Sequence, residues 1–336
     1  MQAGSRRWIE IALPPRVAAR HAGVMQYRPF GQSGLSVSTV GFGAWQLNNP
    51  LWGGPDEAAS LRLVQAALDG GCNFFDTAPG YGEGASERLL GLALRGRRDA
   101  AVICTKFGHP PEGETDFSAG SLRPALEASL RRLQTDHVDV LLLHNPPPAL
   151  LNGARAGDLY AELAALQSEG KLRVFGASVD WAGELAALCW STPSGAAEVL
   201  FNAFHQEPRR AFGEAATAGL GLIAKVPLDS GWLSGKYDER SQFAGIRARW
   251  TPEVVARRAT LVRELRALLP PGLSLAQAAL RFVLAHREIA VVIPGAKDLA
   301  QLEHNLAAGA EPLAPGVVAA IHDLWRRHLA ASPLPW

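Results

Sequence analysis

Four residues able to hold or move a proton stand at, or just beyond, the ends of three short apolar runs. Asp76 follows Asn73-Phe74-Phe75, and Tyr81 lies in the Gly-rich loop after it. Lys106 ends Ala101-Val102-Ile103-Cys104-Thr105, and His144 ends Val140-Leu141-Leu142-Leu143. A phenol, with an unperturbed pKa of about 10, is a poor acid near neutrality. A neighbouring ammonium favours its phenolate, and a carboxylate paired with that ammonium fixes the cation in place. Asp76, Lys106 and Tyr81 supply such a trio, and the imidazole of His144 can orient a carbonyl by hydrogen bonding or join the proton relay. Singly, each has a structural explanation, because an Asp or Lys at a strand end caps or pairs and a Tyr in a turn packs. Together, on consecutive runs that end on one rim, they read as a catalytic constellation.

One rim requires parallel strands. From Met25 onward, short β-rich runs alternate with longer segments of helical period, the rhythm of a parallel sheet. Val40–Gly43, Asn73–Asp76, Ala101–Lys106, Val138–His144, Arg173–Ala177, Glu198–Phe201, Gly221–Val226 and Ile289–Ile293 are the eight expected strands. Helices are expected near residues 56–70, 86–94, 121–133 and 158–169, with Asp56 as the first N-cap and Gly70-Gly71 as its terminator. Eight such units in about 250 residues favour a (β/α)8 TIM barrel. Tyr27–Phe30 and Leu35–Val37 flank Gly31-Gln32-Ser33-Gly34 and form an N-terminal β-hairpin that caps one end. An extra C-terminal helix over residues 317–329 belongs to no repeat, and the rim loop 238–251 is unusually long. An open dinucleotide-binding sheet would need a tight Gly-rich first turn. Gly41-Phe42-Gly43-Ala44-Trp45 runs instead into Gln46, Asn48, Asn49 and Pro50, which is too long and bulky.

The 336 residues are 48% hydrophobic and 19% charged, enough for a substantial core. A formal net charge of +1 makes no case for nucleic acid or an anionic membrane and suits a small neutral or weakly charged ligand. Cys72, Cys104 and Cys189 show no metal-binding spacing, so no metal is expected, and so sparse a set reads as reduced and cytoplasmic. No apolar stretch approaches the roughly 20 residues that span a bilayer. Residues 1–24 carry Arg6, Arg7, Arg16 and Arg20 without the apolar core of a secretory signal. They are expected to be a disordered extension or to reflect an upstream start, ahead of a single domain from residue 25 to 336. No heptad or exposed apolar stripe selects an oligomeric state.

The chain resembles the aldo-keto reductases. Phe75-Asp76-Thr77-Ala78-Pro79-Gly80-Tyr81-Gly82, with Ser86-Glu87 and Leu90-Gly91, is similar to that family's first signature. Thr105-Lys106 is similar to its lysine strand and Leu142-Leu143-His144-Asn145-Pro146 to its histidine strand. The stretch from Pro227 through Leu228, Ser230, Gly231, Leu233 and Gly235 to Lys236 and Tyr237 resembles its cofactor-belt loop. Ile293-Pro294-Gly295-Ala296, with Gln301 and Asn305, resembles its adenosine end. The resemblance implies a barrel that binds NADP(H) or NAD(H) in extended form. Asp76, Tyr81, Lys106 and His144 are then the tetrad, Ser178 and Asn202 hold the nicotinamide carboxamide, and Trp45 lines both cofactor and substrate.

Three departures from the pattern stand out. Val179 follows Ser178 where asparagine is common, Lys225 stands near the usual stacking aromatic, and Gly295 and Gln301 replace a basic pair, leaving Lys297 as the nearest cation. A ribose 2′-phosphate wants Arg or Lys, so NADP(H) is preferred with NAD(H) close behind. Trp45, Trp52, Trp232 and Phe107 near the rim suit an apolar or aromatic carbonyl, with Tyr81 and His144 at its oxygen. His109 reads as a solvated loop residue. The expected activity is reduction of aldehydes or ketones, or oxidation of a sugar-like alcohol. The rivals are a nicotinamide-binding regulatory subunit with little turnover and a lyase that forms a Schiff base on Lys106.

Overall fold

In the computed structural model, residues 25–49, 53–243 and 245–335 are described; the expected extension over residues 1–24 and the rim aromatic Trp52 lie outside them. Strands β1 (Tyr27–Pro29) and β2 (Ser36–Ser38) form the antiparallel hairpin. The barrel strands follow as β3 (Phe42–Gly43), β4 (Phe74–Asp76), β5 (Val102–Phe107), β6 (Val138–His144), β7 (Leu172–Val179), β8 (Ala196–Leu200), β9 (Gly221–Lys225) and β10 (Ile289–Val292). Each pairs in parallel with the next in chain order. Val40 bridges Val292, the Gly41 N–H donates to the Val292 carbonyl at 2.8 Å, and the Val292 N–H donates to Thr39 at 3.0 Å. These bonds join the first strand to the last, and the expected (β/α)8 barrel is present.

Helices α1 (Glu57–Asp69), α2 (Ala85–Ala93), α3 (Ala119–Leu133), α4 (Gly157–Ser168), α5 (Ala182–Ser191), α6 (Phe212–Thr217), α7 (Pro252–Ala267), α8 (Leu275–Leu284), α9 (Leu299–Leu306) and α10 (Pro315–His328) surround the strands. The Asp56 carboxylate caps α1 by accepting from the Ala59 N–H. α5 through α9 add to the helices whose bounds the sequence predicts. Strand boundaries also move by one or two residues: β3 begins at Phe42 rather than Val40, β7 runs on through Ser178 and Val179, and β8 begins at Ala196 rather than Glu198.

Alternation along each strand sorts the core in two. Phe74, Val102, Cys104, Val140, Leu142, Val174, Ala196, Ile223 and Val291 fill the barrel interior, and Phe30, Leu35 and Val37 of the hairpin plug its lower end. The residues between them in sequence, such as Phe75, Ile103, Leu141 and Leu143, face the helices. At Gly176 of β7 an added Cβ would stand 1.7 Å from the Ala196 carbonyl oxygen. Gly176→Ala is therefore expected to destabilise the barrel by about 3 kcal/mol, read as a lowered denaturant midpoint at unchanged m-value.

The extra C-terminal helix, α10, lies on the outer wall, where Ile321, Leu324 and Trp325 are buried in the shell core. Arg257 holds the tail beyond it, donating to the carbonyls of His328 at 2.7 Å and Ser332 at 2.5 Å. Among the described residues no helix is long and apolar enough to cross a membrane.

Candidate active site

The two-residue period that fills the barrel continues to its upper rim. Above Phe74 stands Asp76; above Val102 and Cys104 stands Lys106; above Val140 and Leu142 stands His144. Register places His144 opposite Ser178, and Ser178 opposite Glu198. The interior faces of five strands thus present Asp76, Lys106, His144, Ser178 and Glu198 to one space. Tyr81 joins them from the loop after β4, which tightens through the Tyr81 N–H bond to the Ala78 carbonyl at 3.1 Å. Ser86 fixes this loop to its neighbour, contacting Thr77 Oγ1 at 2.8 Å and donating to the Ala44 carbonyl at 3.0 Å. Glu87 is fully buried, accepting from Thr105 Oγ1 at 2.6 Å and Arg132 Nε at 2.7 Å.

Lys106 is the electrostatic centre. Its ammonium, with a wholly buried side chain, lies 2.6 Å from Asp76 Oδ2 and 3.3 Å from Glu198 Oε2, and donates to the Thr77 carbonyl at 3.1 Å. Burial alone would lower its pKa, but the anions of Asp76 and Glu198 overcome this and hold it well above the ordinary lysine value. The same ammonium sits 5.2 Å from the centroid of the Tyr81 ring. Burial pushes the Tyr81 phenol up, and Lys106 pulls it only part of the way back. His144 is pushed down to about 3 by burial and by Lys106, so it is a neutral imidazole at working pH. Among the described residues its buried Nδ1 has no hydrogen-bond partner, which leaves capacity for a ligand oxygen.

The walls are aromatic. Trp45, 37% exposed, meets Tyr81 edge to face at 4.5 Å, and Tyr81 meets His144 at 6.0 Å. His109 is not the solvated loop residue its sequence context implies. Its ring lies 5.0 Å from that of His144 and 5.8 Å from that of Phe117. His109 Nε2 lies 2.9 Å from the His144 carbonyl, and Thr115 Oγ1 lies 3.1 Å from Nδ1. This arrangement is satisfied when Nε2 carries the proton. Phe107 points to the opposite face of β5 from Lys106 and packs in the shell against Phe117.

Beyond Asp76, Tyr81, Lys106 and His144, the residues expected as cofactor contacts stand along the rim, at the ends of β7 and β9, in the loops that follow β8, β9 and β10, and on α9. The Ser178 hydroxyl donates to Glu198 Oε1 at 2.9 Å. Lys225 Nζ donates to Ser178 Oγ at 2.8 Å and Asn145 Oδ1 at 2.9 Å, and pairs with Asp180 at 2.9 Å. Asn202 is tied into a turn, accepting from the N–H groups of Phe204 and His205 and donating to the Val226 carbonyl at 3.0 Å. Pro227, Leu228, Ser230, Gly231, Leu233, Gly235 and Lys236 form the belt after β9. Positive φ at Ser230, Gly231 and Gly235 lets its backbone fold tightly. Asp229 in the belt pairs with the buried guanidinium of Arg258, which also donates to the Pro335 carbonyl at 2.9 Å, so belt and C-terminal tail are held by one residue. Trp232 of the belt packs against Tyr237, Phe243 and Trp250, and these contacts account for much of the long rim loop. At the far end, Asn305 donates to the Gly295 carbonyl at 3.1 Å, and Gln301 Oε1 accepts from the Lys297 N–H at 3.1 Å. Ile293, Gly295, Lys297, Gln301 and Asn305 are thus brought together around the turn between β10 and α9.

From sequence alone, Glu198, Asn145 and Asp180 receive no site role. Glu198 carried a signal: it is the one acid inside an otherwise apolar strand, in phase with the interior column. Asp76, Cys104 and Glu198 have ligand atoms within 4.8 Å of one another, the spacing of a metal site. The Lys106 ammonium already stands on both carboxylates, so the cluster reads as an ion-pair centre.

The family description "Aldo/keto reductase family" matches residues 39–326. L-galactose dehydrogenase of Arabidopsis thaliana is 30% identical over 295 residues, covering 85% of this chain and 89% of that protein. A probable voltage-gated potassium channel subunit beta of the same plant is 30% identical over 313 residues, covering 84% and 91%. Among solved structures, an aldo-keto reductase of Bacillus halodurans in its holo form superposes with a TM-score of 0.75 at 27% identity, covering 89% of this chain and 96% of that one. The chain belongs to the aldo/keto reductase family and is an NAD(P)-dependent oxidoreductase.

Proposed function

We propose that the protein interconverts small aldehydes or ketones and the corresponding alcohols, with Tyr81 as the acid or base at the reacting oxygen. The observation that carries this reading is the Lys106 ammonium, fixed 2.6 Å from Asp76 and 5.2 Å from the Tyr81 ring, beside an uncharged His144. Bound nicotinamide supplies or removes the hydride at carbon. Tyr81 delivers or accepts the proton, Lys106 stabilises its phenolate, Asp76 holds Lys106, and His144 orients the substrate oxygen.

The rim track suits an extended dinucleotide. Ser178 and Lys225 lie at its inner end, the belt with its positive-φ backbone lies along it, and the 293–305 cluster lies at its outer end. NADP(H) is the preferred partner and NAD(H) the possible one, because Lys297 is the cation nearest the expected 2′-phosphate. Gln301→Arg is expected to raise the NADPH over NADH affinity ratio by about tenfold, one added charge-assisted hydrogen bond. Fluorescence titration of the nine tryptophans measures that ratio. An unchanged ratio would place the adenosine end elsewhere.

Trp45 with Tyr81, His144 and His109 makes a wall that accepts either an aromatic face or the C–H face of a sugar, and the L-galactose enzyme among the relatives favours a polyhydroxylated alcohol. The unpaired cysteines fit a cytoplasmic setting. Lys106 is poorly suited to Schiff-base chemistry, since its ammonium is locked in place by two carboxylates and held protonated. The channel-subunit likeness is tested by turnover. Hydride transfer to a panel of sugar and aromatic carbonyls is the expected result; tight nicotinamide binding with no turnover across the panel would favour a regulatory role.

A further inference from the structure

Two carboxylates and one ammonium meet in the dry space beneath Tyr81. The side chains of Asp76 and Glu198 are 4% and 3% exposed, their oxygens lie within 4.8 Å of each other, and Lys106 bridges them at 2.6 and 3.3 Å. A tetrad needs only one acid to hold its lysine. Glu198 leaves the centre with one carboxylate in excess, and an uncompensated buried carboxylate is costly.

The groups that face this pair come from every neighbouring strand and loop. Tyr81 and Cys104 are held protonated by burial, and His144 is neutral. Ser178 has one hydroxyl proton to give and reaches Glu198 Oε1 at 2.9 Å. The Lys225 ammonium is engaged by Asp180 at 2.9 Å, so it does not balance the excess charge by direct contact. The remaining way to balance it is a proton.

We propose that Glu198 is a positioning residue that shares one retained proton with Asp76, so that Lys106 faces a single net negative charge and departure of that proton changes the charge felt by Tyr81. The two partners divide unequally. Burial and the neighbouring Glu198 push Asp76 up, whereas for Glu198 the ammonium groups of Lys106 and Lys225 overcome burial and hold it down. Asp76 is therefore the principal carrier, and Glu198 is the anion that makes it one. When the proton leaves to solvent, a second negative charge appears beside Lys106 and formation of the Tyr81 phenolate becomes harder. The inference rests on the assignment of Tyr81 as the acid or base.

Infrared difference spectra of the cofactor-free protein between about pH 6 and about pH 9 test the proton directly, since ordinary carboxyls are ionised throughout that range. Wild type is expected to lose a protonated-carboxyl band on going alkaline, and Glu198→Gln is expected to show none. Absence of the band in wild type would overturn the proposal. Single-turnover alcohol oxidation against pH gives the second readout. The rising limb that reports loss of the Tyr81 proton is expected to move to lower pH in Glu198→Gln; a fall in rate with the limb unmoved would mean that Glu198 only supports the fold. If wild type turns over no carbonyl or alcohol, the role of Tyr81 is lost, while the infrared band still decides the shared proton.

Discussion

Replacing Tyr81 by Phe is expected to lower kcat by about 10²- to 10⁴-fold, the range contributed by a positioned general acid or base, while leaving cofactor affinity nearly unchanged. The ring stays: its edge contact with Trp45 at 4.5 Å and its packing near His144 do not need the hydroxyl. The phenol and the Cys104 thiol both lie near the locked cation, but the thiol is packed in the barrel interior with Phe74, Val102 and Leu142, which leaves the phenol as the donor at the rim. Lys106 is paired with two acids, Asp76 is under Lys106, and His144 is uncharged. Single-turnover hydride transfer with deuterated cofactor separates the chemical step from binding, and the isotope effect is expected to become fully expressed as chemistry slows. Turnover at the wild-type rate with an unchanged isotope effect would remove Tyr81 from the acid/base role and leave His144 as the remaining group within reach of the same space.

The cluster of Asp76, Tyr81, Lys106 and His144 was legible because its members punctuate apolar runs. A charged residue directly after four or five buried β-formers has few places to go except a strand end, and parallel strands put all such ends on one rim. Glu198 hid for the opposite reason. It sits two residues inside β8, and the pattern Ala196-Ala197-Glu198-Val199-Leu200 reads equally well as a strand beginning at the acid. Only register shows that Glu198 stands opposite Ser178, and only closure of the barrel brings it across to Lys106. His109 was illegible too, because a His in the Gly108–Gly113 segment shows nothing locally of its contact with His144, made by another strand. Local pattern locates strand ends; contacts across the lumen depend on barrel closure.

The belt shows the same limit. Positions 227–237 can be aligned by likeness, but the buried Asp229–Arg258 pair joins residues 29 positions apart, and the Pro335 carbonyl on Arg258 lies 77 positions away. The C-terminal tail, which sequence alone assigns to no task, thus stabilises the loop expected to cover the cofactor. The physical route is a single guanidinium with acceptors on both.

Lys106→Met carries the second large effect, and it is on stability as well as rate. Among the described residues Lys106 is the only cation paired with both Asp76 and Glu198, and the change leaves these two buried acids without it. Breaking a buried pair in this way costs about 3–5 kcal/mol. The pH dependence follows from linkage. In the variant both acids have folded-state pKa values raised by burial and by each other, so the folded protein binds more protons than the unfolded chain, and stability falls as pH rises above the ordinary carboxyl range. The deficit relative to wild type is therefore expected to be smaller near about pH 5, where both acids can be protonated, than near about pH 8. Urea midpoints at the two pH values measure it directly. Met matches the length and apolar stem of Lys, so lost packing would produce a deficit independent of pH. A constant deficit would mean that the two acids find another partner and that Lys106 is not the charge on which the centre is built; a deficit that grows with pH would tie the stability of the rim to that ammonium.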